Sequence, residues 1–291
     1  MFGMLVTIYL FLGGAGAALV AVLASCDLAA GWHRSAPSLD RGWARQVTSS
    51  FLGRGFAVAF IVLALGAFCL LLDLERPERF PLVLAYPTPT LLSFGSYVLS
   101  GTLVLAAALC LLHLMAPGKL PRPIMVALDI AAAVLGAATV TYTGLFFSGI
   151  DFVALWDNVG LPFLFVASST SVGLAVALGL ALMGSEGRIT ALSRALSRAD
   201  MIAVVFEIAA LAVYVGAAVM QGRASELVAV VVGPACSLVF VGIIGLGLLA
   251  PLAIEVVSFR MRSAAVAALV VPCVVIGGFA LRYAVVMMPL M

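Results

Sequence analysis

The chain is poor in charge, histidine and cysteine. Only 10% of its 291 residues are charged, with two histidines and five cysteines. An ordinary soluble domain carries about 25% charged residues, so the deficit argues against one. The small net charge of +2 carries no signal for nucleic acid. Cys26, Cys69, Cys110, Cys236 and Cys273 form no CxxC pair and no cluster. They read as small core residues and offer neither iron–sulfur nor zinc ligation, so no metal site is expected. Long polar stretches are absent too, so no soluble domain is expected between the apolar segments.

What the chain has instead is apolar length. The hydrophobic fraction is 65% and the mean hydropathy is +1.26. Eight apolar stretches of about 17–27 residues follow one another, and about 20 such residues cross a bilayer as a helix. They fall near Phe2–Ser25, Phe56–Leu72, Thr90–Met115, Ile124–Phe147, Leu161–Gly184, Met201–Met220, Leu227–Ile254 and Ala264–Met288. Barrel strands would alternate in shorter segments, so the expected fold is all-α: a polytopic membrane protein with eight transmembrane helices. Leu23-Ala24-Ser25-Cys26 has the look of a lipoprotein cleavage box. No basic residue precedes it, and an uncleaved first span is expected.

Basic residues set the orientation. Arg34, Arg41, Arg45, Arg54, Lys119, Arg122, Arg188, Arg194, Arg198, Arg260 and Arg262 occupy the loops of one face, leaving Arg76, Arg79, Arg223 and Arg282 for the other. The positive-inside rule puts the first set in the cytoplasm and both termini outside. The outer loops carry Asp73, Glu75, Glu78, Asp151, Asp157 and Glu226. A multi-pass protein of the cytoplasmic (inner) membrane of a prokaryote is expected.

Few ionisable groups lie inside the spans, and those that do are costly and commonly functional. Asp129 is about five residues into span 4, roughly 8 Å deep at 1.5 Å per residue. Glu207 is at a similar depth in span 6, Glu255 at the cytoplasmic end of span 7, and Arg282 near the outer end of span 8. Either Asp129, Glu207 and Arg282 mark a proton route or they bond neighbouring helices near the interface. A midplane haem needs buried axial ligands. His33 lies in a loop and His113 at a helix end, so no haem is expected. Gly13, Gly14, Gly16, Gly277 and Gly278 read as sites of close helix contact.

Specific signals gather at the outer ends. Span 2 runs into Asp73-Leu74-Glu75-Arg76-Pro77-Glu78-Arg79-Phe80. Span 3 opens Ser93-Phe94-Gly95-Ser96-Tyr97. Span 4 closes with Tyr142-Thr143-Gly144 and Ser148. A loop with Asp151, Trp156, Asp157 and Asn158 leads to Leu161-Pro162-Phe163-Leu164-Phe165, followed by Ser168-Ser169. Tyr9-Leu10-Phe11-Leu12-Gly13-Gly14 opens span 1. In this order the segments resemble the NrfD family, the membrane subunits of polysulfide reductase and related respiratory molybdoenzymes. The resemblance covers essentially the whole chain.

That resemblance implies two four-helix bundles, residues 1–150 and 151–291, with a quinone near the outer face of the first. It implies a quinone-reactive anchor that passes electrons between an exchangeable menaquinone or ubiquinone and a four-cluster iron–sulfur subunit on the outer face. That subunit in turn serves a molybdopterin subunit, and the membrane chain itself holds no haem or cluster. The residues fit this. A Tyr142 phenol can donate to a quinone carbonyl. Asp73 can take a quinol proton, with Arg76 holding it ionised. Ser93, Ser148, Asp151, Trp156 and Asn158 are expected to complete the site, with Trp156 exposed. One departure stands out: no charged side chain and no histidine precedes Asp27, whereas several family members place a polar or imidazole quinone ligand there. A secondary transporter and a purely structural anchor are the competing readings. An almost bare midplane speaks against the transporter.

Overall fold

The computed structural model describes residues 4–35, 42–74, 85, 90–149, 153, 155–185, 188–233, 236–261 and 263–287. Among these residues the regular elements are helical. They are α1 (Met4–Ser35), α2 (Ser49–Asp73), α3 (Leu91–Met115), α4 (Arg122–Ser148), α5 (Gly160–Met183), α6 (Ala191–Met220) and the short α7 (Ala224–Val232). Then come α8 (Leu238–Leu249), wound in the wider π pattern, α9 (Ala250–Met261), α10 (Ala264–Ala268) and α11 (Val270–Met287). Eight segments among the described residues are long and apolar enough to cross a membrane, α8 with α9 making the seventh and α10 with α11 the eighth. The all-α, multi-pass expectation is met.

Local chemistry sets several helix starts. Thr48 accepts from the Phe51 backbone N–H, Thr90 from Ser93 and Ser263 from Val266, each satisfying a donor that the first turn leaves free. Thr190 and Ser193 bond reciprocally at the head of α6, a full capping box. Pro123 opens α4, where its missing N–H costs nothing.

The structure moves three boundaries. α6 starts at Ala191, ten residues before the apolar run suggested. Arg194 and Arg198 are exposed, while Leu192, Leu196 and Asp200 are buried on the opposite face. Charge on one face broke the run without breaking the helix. α1 extends past Ser25 to Ser35. The seventh span is Leu238–Ser258 rather than Leu227–Ile254, because the chain leaves α7 at Gly233 with extended backbone (ψ −168). A residue before proline is pushed out of the helical region. Pro234 itself lies outside the described residues.

α1 packs on α2, α4 and α5, and α3 bridges α2 and α4. On the other side α5 pairs with α6, and α11 packs on α8 and α5. α1 and α5 sit at the centre: 67% and 61% of their most apolar windows are buried, against 28% for α2 and α4. The close contacts expected of the glycines are present, Gly16 on Leu63 and Gly277 on Gly247.

Ser193 is buried in the cap of α6, so topology is best probed at exposed neighbours. In a background without the five native cysteines, a maleimide should label Gln221→Cys from outside intact cells. Arg194→Cys should react only after permeabilisation. The reverse pattern would invert the orientation.

Candidate functional site

The arginine-poor ends of α1, α2, α3 and α4 converge on one cavity of about 90 Å³. α1 contributes Val6, Tyr9 and Leu10, α2 Leu70 and Asp73, α3 Leu92, Gly95, Ser96 and Leu99, and α4 Tyr142, Thr143, Phe146 and Phe147. Its wall is aliphatic and aromatic, broken by two phenols, two hydroxyls and one carboxylate. Tyr9 and Tyr142 are both buried, and their phenol groups interact. Asp73 is exposed, so it connects the cavity to the surface. The Tyr142 ring lies flat over Gly95, where a Cβ would collide with its ring carbons.

The structure therefore joins Asp73 and Tyr142, as expected, and leaves other candidates elsewhere. Ser93 is buried in the cap of α3 beside Thr90 and does not line the cavity. Ser148 donates to the Leu145 carbonyl. With Asp157 and Asn158 it faces a separate cleft of about 520 Å³ between α4 and α5. Both ends of the Asn158 amide are engaged, its nitrogen donating to Tyr214 O at 2.9 Å and its oxygen accepting from Gly160 N at 2.8 Å. Trp156 is fully buried, which corrects the expectation of an exposed contact residue. Its indole N–H donates to Val285 O at 2.7 Å and its ring meets Phe147 edge-on at 4.8 Å. A buried indole needs such a partner, and this one ties the 155–158 loop to α11. Arg76 and Asp151 lie outside the described residues.

Tyr9 is the residue that sequence reasoning passed over. It supplies the polar group from α1 whose absence looked like a departure. A search for charge or imidazole does not register a phenol in an apolar run. Its signal was its place, one turn before Gly13-Gly14.

The intramembrane charges separate into two groups. Asp129 faces Asp27 and His113 at the arginine-rich end of α1, α3 and α4, their ligand atoms all within 4.8 Å of one another. Arg122 contacts the Asp27 carboxylate at 3.5 Å and donates to its backbone carbonyl at 3.1 Å. The set thus brings two carboxylates and one imidazole together beside one guanidinium.

Glu207 and Arg282 belong to the other group, far from Asp129 in the packing of α5, α6 and α11. Arg282 is 1% exposed. It donates to Ser169 at 2.6 Å, Ser168 at 3.2 Å and Gly278 O at 2.8 Å, over the rings of Phe11 and Phe165. Glu207 lies near Ser168 and in the field of the guanidinium. Because α6 starts at Ala191, Glu207 is 16 residues into its helix, about 24 Å. It stands well inside the span and not near its mouth.

A whole-chain likeness now meets this geometry: residues 1–291 match the family described as Polysulphide reductase, NrfD. The chain belongs to the NrfD family. As a member it is a multi-pass membrane protein of the class that serves as a membrane subunit in respiratory oxidoreductase complexes. Such NrfD subunits generally work beside iron–sulfur and molybdopterin subunits. No individual curated protein matches the chain.

Proposed function

We propose that this NrfD chain is the quinone-reactive subunit of its complex. In this reading it exchanges electrons between a menaquinone or ubiquinone and an iron–sulfur subunit on the arginine-poor, outer face, which serves a molybdopterin subunit. The observation that carries the reading is the meeting of Tyr9, Asp73 and Tyr142 in one largely apolar cavity at a membrane-facing helix end. Ligand sites are commonly apolar with a few placed polar groups. Oxidation of a quinol releases two protons and two electrons, and reduction takes them up. Tyr142 would donate its O–H to a ring oxygen, with the Tyr9 phenol beside it. Asp73, at the rim and open to water, would take the two protons one after the other and release each outside. The electrons would leave to the docked partner.

Asp129, Glu207 and Arg282 were grouped above as one proton route. The packing supports treating them as two sites, with Glu207 and Arg282 together.

The test is steady-state turnover of the intact complex. Tyr142→Phe and Asp73→Asn should each lower quinol-dependent turnover by about 10²-fold, the usual contribution of a positioned acid or base. Activity with a soluble artificial donor, and assembly, should be unchanged. Wild-type quinol kinetics in both variants would refute this site. A structural anchor predicts that neither substitution matters, and a transporter predicts substrate flux without any quinol dependence.

A further inference from the structure

Three potential metal ligands meet at the arginine-rich end of the first helices. Asp27 stands two turns before the end of α1, His113 in the last turn of α3 and Asp129 two turns into α4. One carboxylate oxygen from each aspartate and one imidazole nitrogen lie within 4.8 Å of one another. Asp27 is 3% exposed, His113 8% and Asp129 0%. Both oxygens of Asp129 and the Nε2 of His113 are buried with no hydrogen-bond partner among the described residues. Buried polar atoms ordinarily have one, and a carboxylate left bare at membrane depth is costly.

The protein's own contacts satisfy only part of the set. Arg122 reaches both oxygens of Asp27 at 3.5 Å but does not bond Asp129. A proton shared between the two carboxyls would settle them and leave the imidazole without a role. Water would satisfy the polar atoms but not the charge of the second carboxylate. A divalent cation takes a lone pair from all three groups at once. An imidazole nitrogen with carboxylate oxygens suits Zn2+ and its neighbours, whereas Mg2+ and Ca2+ take oxygen ligands. Ligands at about 2.0–2.2 Å in a tetrahedron stand about 3.3 Å apart. The widest pair, at 4.8 Å or less, therefore closes by about 1.5 Å at most, within the reach of a side-chain rotation.

Orientation and access are provided. The His113 ring stacks on Phe56 with centroids 5.8 Å apart and planes 11° from parallel, which holds its plane. A cavity of about 600 Å³ is lined by the buried Asp27 and His113 and by the exposed Pro117 and Gly118, so it joins the set to the surface. Arg45 and Arg122 line it too. Arg45 is exposed and the Arg122 side chain is 45% exposed, so both can turn to water as a cation passes.

We propose that Asp27, His113 and Asp129 bind a Zn2+ ion through two carboxylate oxygens and one imidazole nitrogen, with water in the fourth position. The ion ties α1, α3 and α4 together at the arginine-rich end. Zinc has no redox chemistry, so no electrons move. None of the five cysteines belongs to the set. The ligands stand 86 and 16 positions apart on three helices, a spacing that matches no metal motif. The site goes beyond the quinone reading and does not depend on it.

Zinc binding by the purified full chain in detergent tests the proposal, read by competition with a chromogenic chelator and by X-ray absorption at the zinc edge. The wild type should take up one Zn2+ per chain, in a shell of one imidazole and oxygen ligands without sulfur. Asp129→Asn should weaken binding by about 100-fold or more, at the upper end of what loss of a mere supporting contact costs. His113→Gln should weaken it likewise and erase the imidazole signal, while Cys26→Ser should change nothing. Uptake below one ion per chain, a shell containing sulfur, or binding indifferent to Asp129→Asn overturns the proposal. Should the ligand variants fail to fold, the wild-type spectrum decides: a shell without imidazole overturns it equally.

Discussion

Gly95→Ala should nearly abolish quinol turnover while leaving the protein folded. The added methyl occupies the space of the Tyr142 ring, and the backbone of α3 cannot retreat because Val98 and Leu99 are buried in the bundle. Tyr142 must swing away from Tyr9 and fill part of the cavity. Catalysis then loses a positioned donor and the space for a ring. We expect a loss of about 10²–10⁴-fold, the range for a lost acid–base group, together with loss of quinol-analogue inhibition. A double-mutant cycle identifies the cause. If the methyl acts through the phenol, Gly95→Ala should add little to Tyr142→Ala. Additive losses would mean that the alanine damages α3 itself.

Arg282→Met should be the most destabilising single change in the second half of the chain, by about 3–5 kcal/mol, because it leaves Glu207 buried without its counter-charge. It also strips two hydrogen bonds from the contact between α11 and α5 and one within α11. Arg282→Met combined with Glu207→Leu should recover much of the loss, since an apolar replacement of both partners is often neutral. The comparison is made by thermal inactivation in detergent micelles. A double variant as unstable as the single would show that the serine contacts, and not the charge pair, hold the helices.

The sequence carried the architecture almost whole, because an uninterrupted apolar run of membrane length has few alternatives. It carried helix boundaries less well where polarity is one-sided. α6 was truncated on paper because Arg194, Arg198 and Asp200 interrupt its apolar count, yet only the two arginines face outward. That error hid Asp200 and misplaced Glu207. In the cavity at the arginine-poor end Asp73 and Tyr142 were legible from their positions at helix ends. Asn158 and Trp156 were not, because a polar loop residue looks the same in sequence whether it meets a ligand or a backbone carbonyl 129 positions away. Tyr9 was read as part of the segment that opens span 1 and not as a site residue, because a phenol counts as apolar in a hydrophobic window.

The ion pair of Asp27 with Arg122 also bears on how the protein is made. Its partners are 95 residues apart, with two complete spans between them. A ribosome delivers α1 to the membrane long before α4 exists. During that interval the Asp27 carboxyl has neither Arg122 nor the shelter of α3 and α4. It must wait in the interfacial layer, since a bare charge in hydrocarbon is costly. The last turns of α1 therefore settle only when the fourth span arrives. Assembly of the first half is closed only when the helix that begins at Arg122 has entered the membrane, and a chain halted before that point keeps an unfinished helix end.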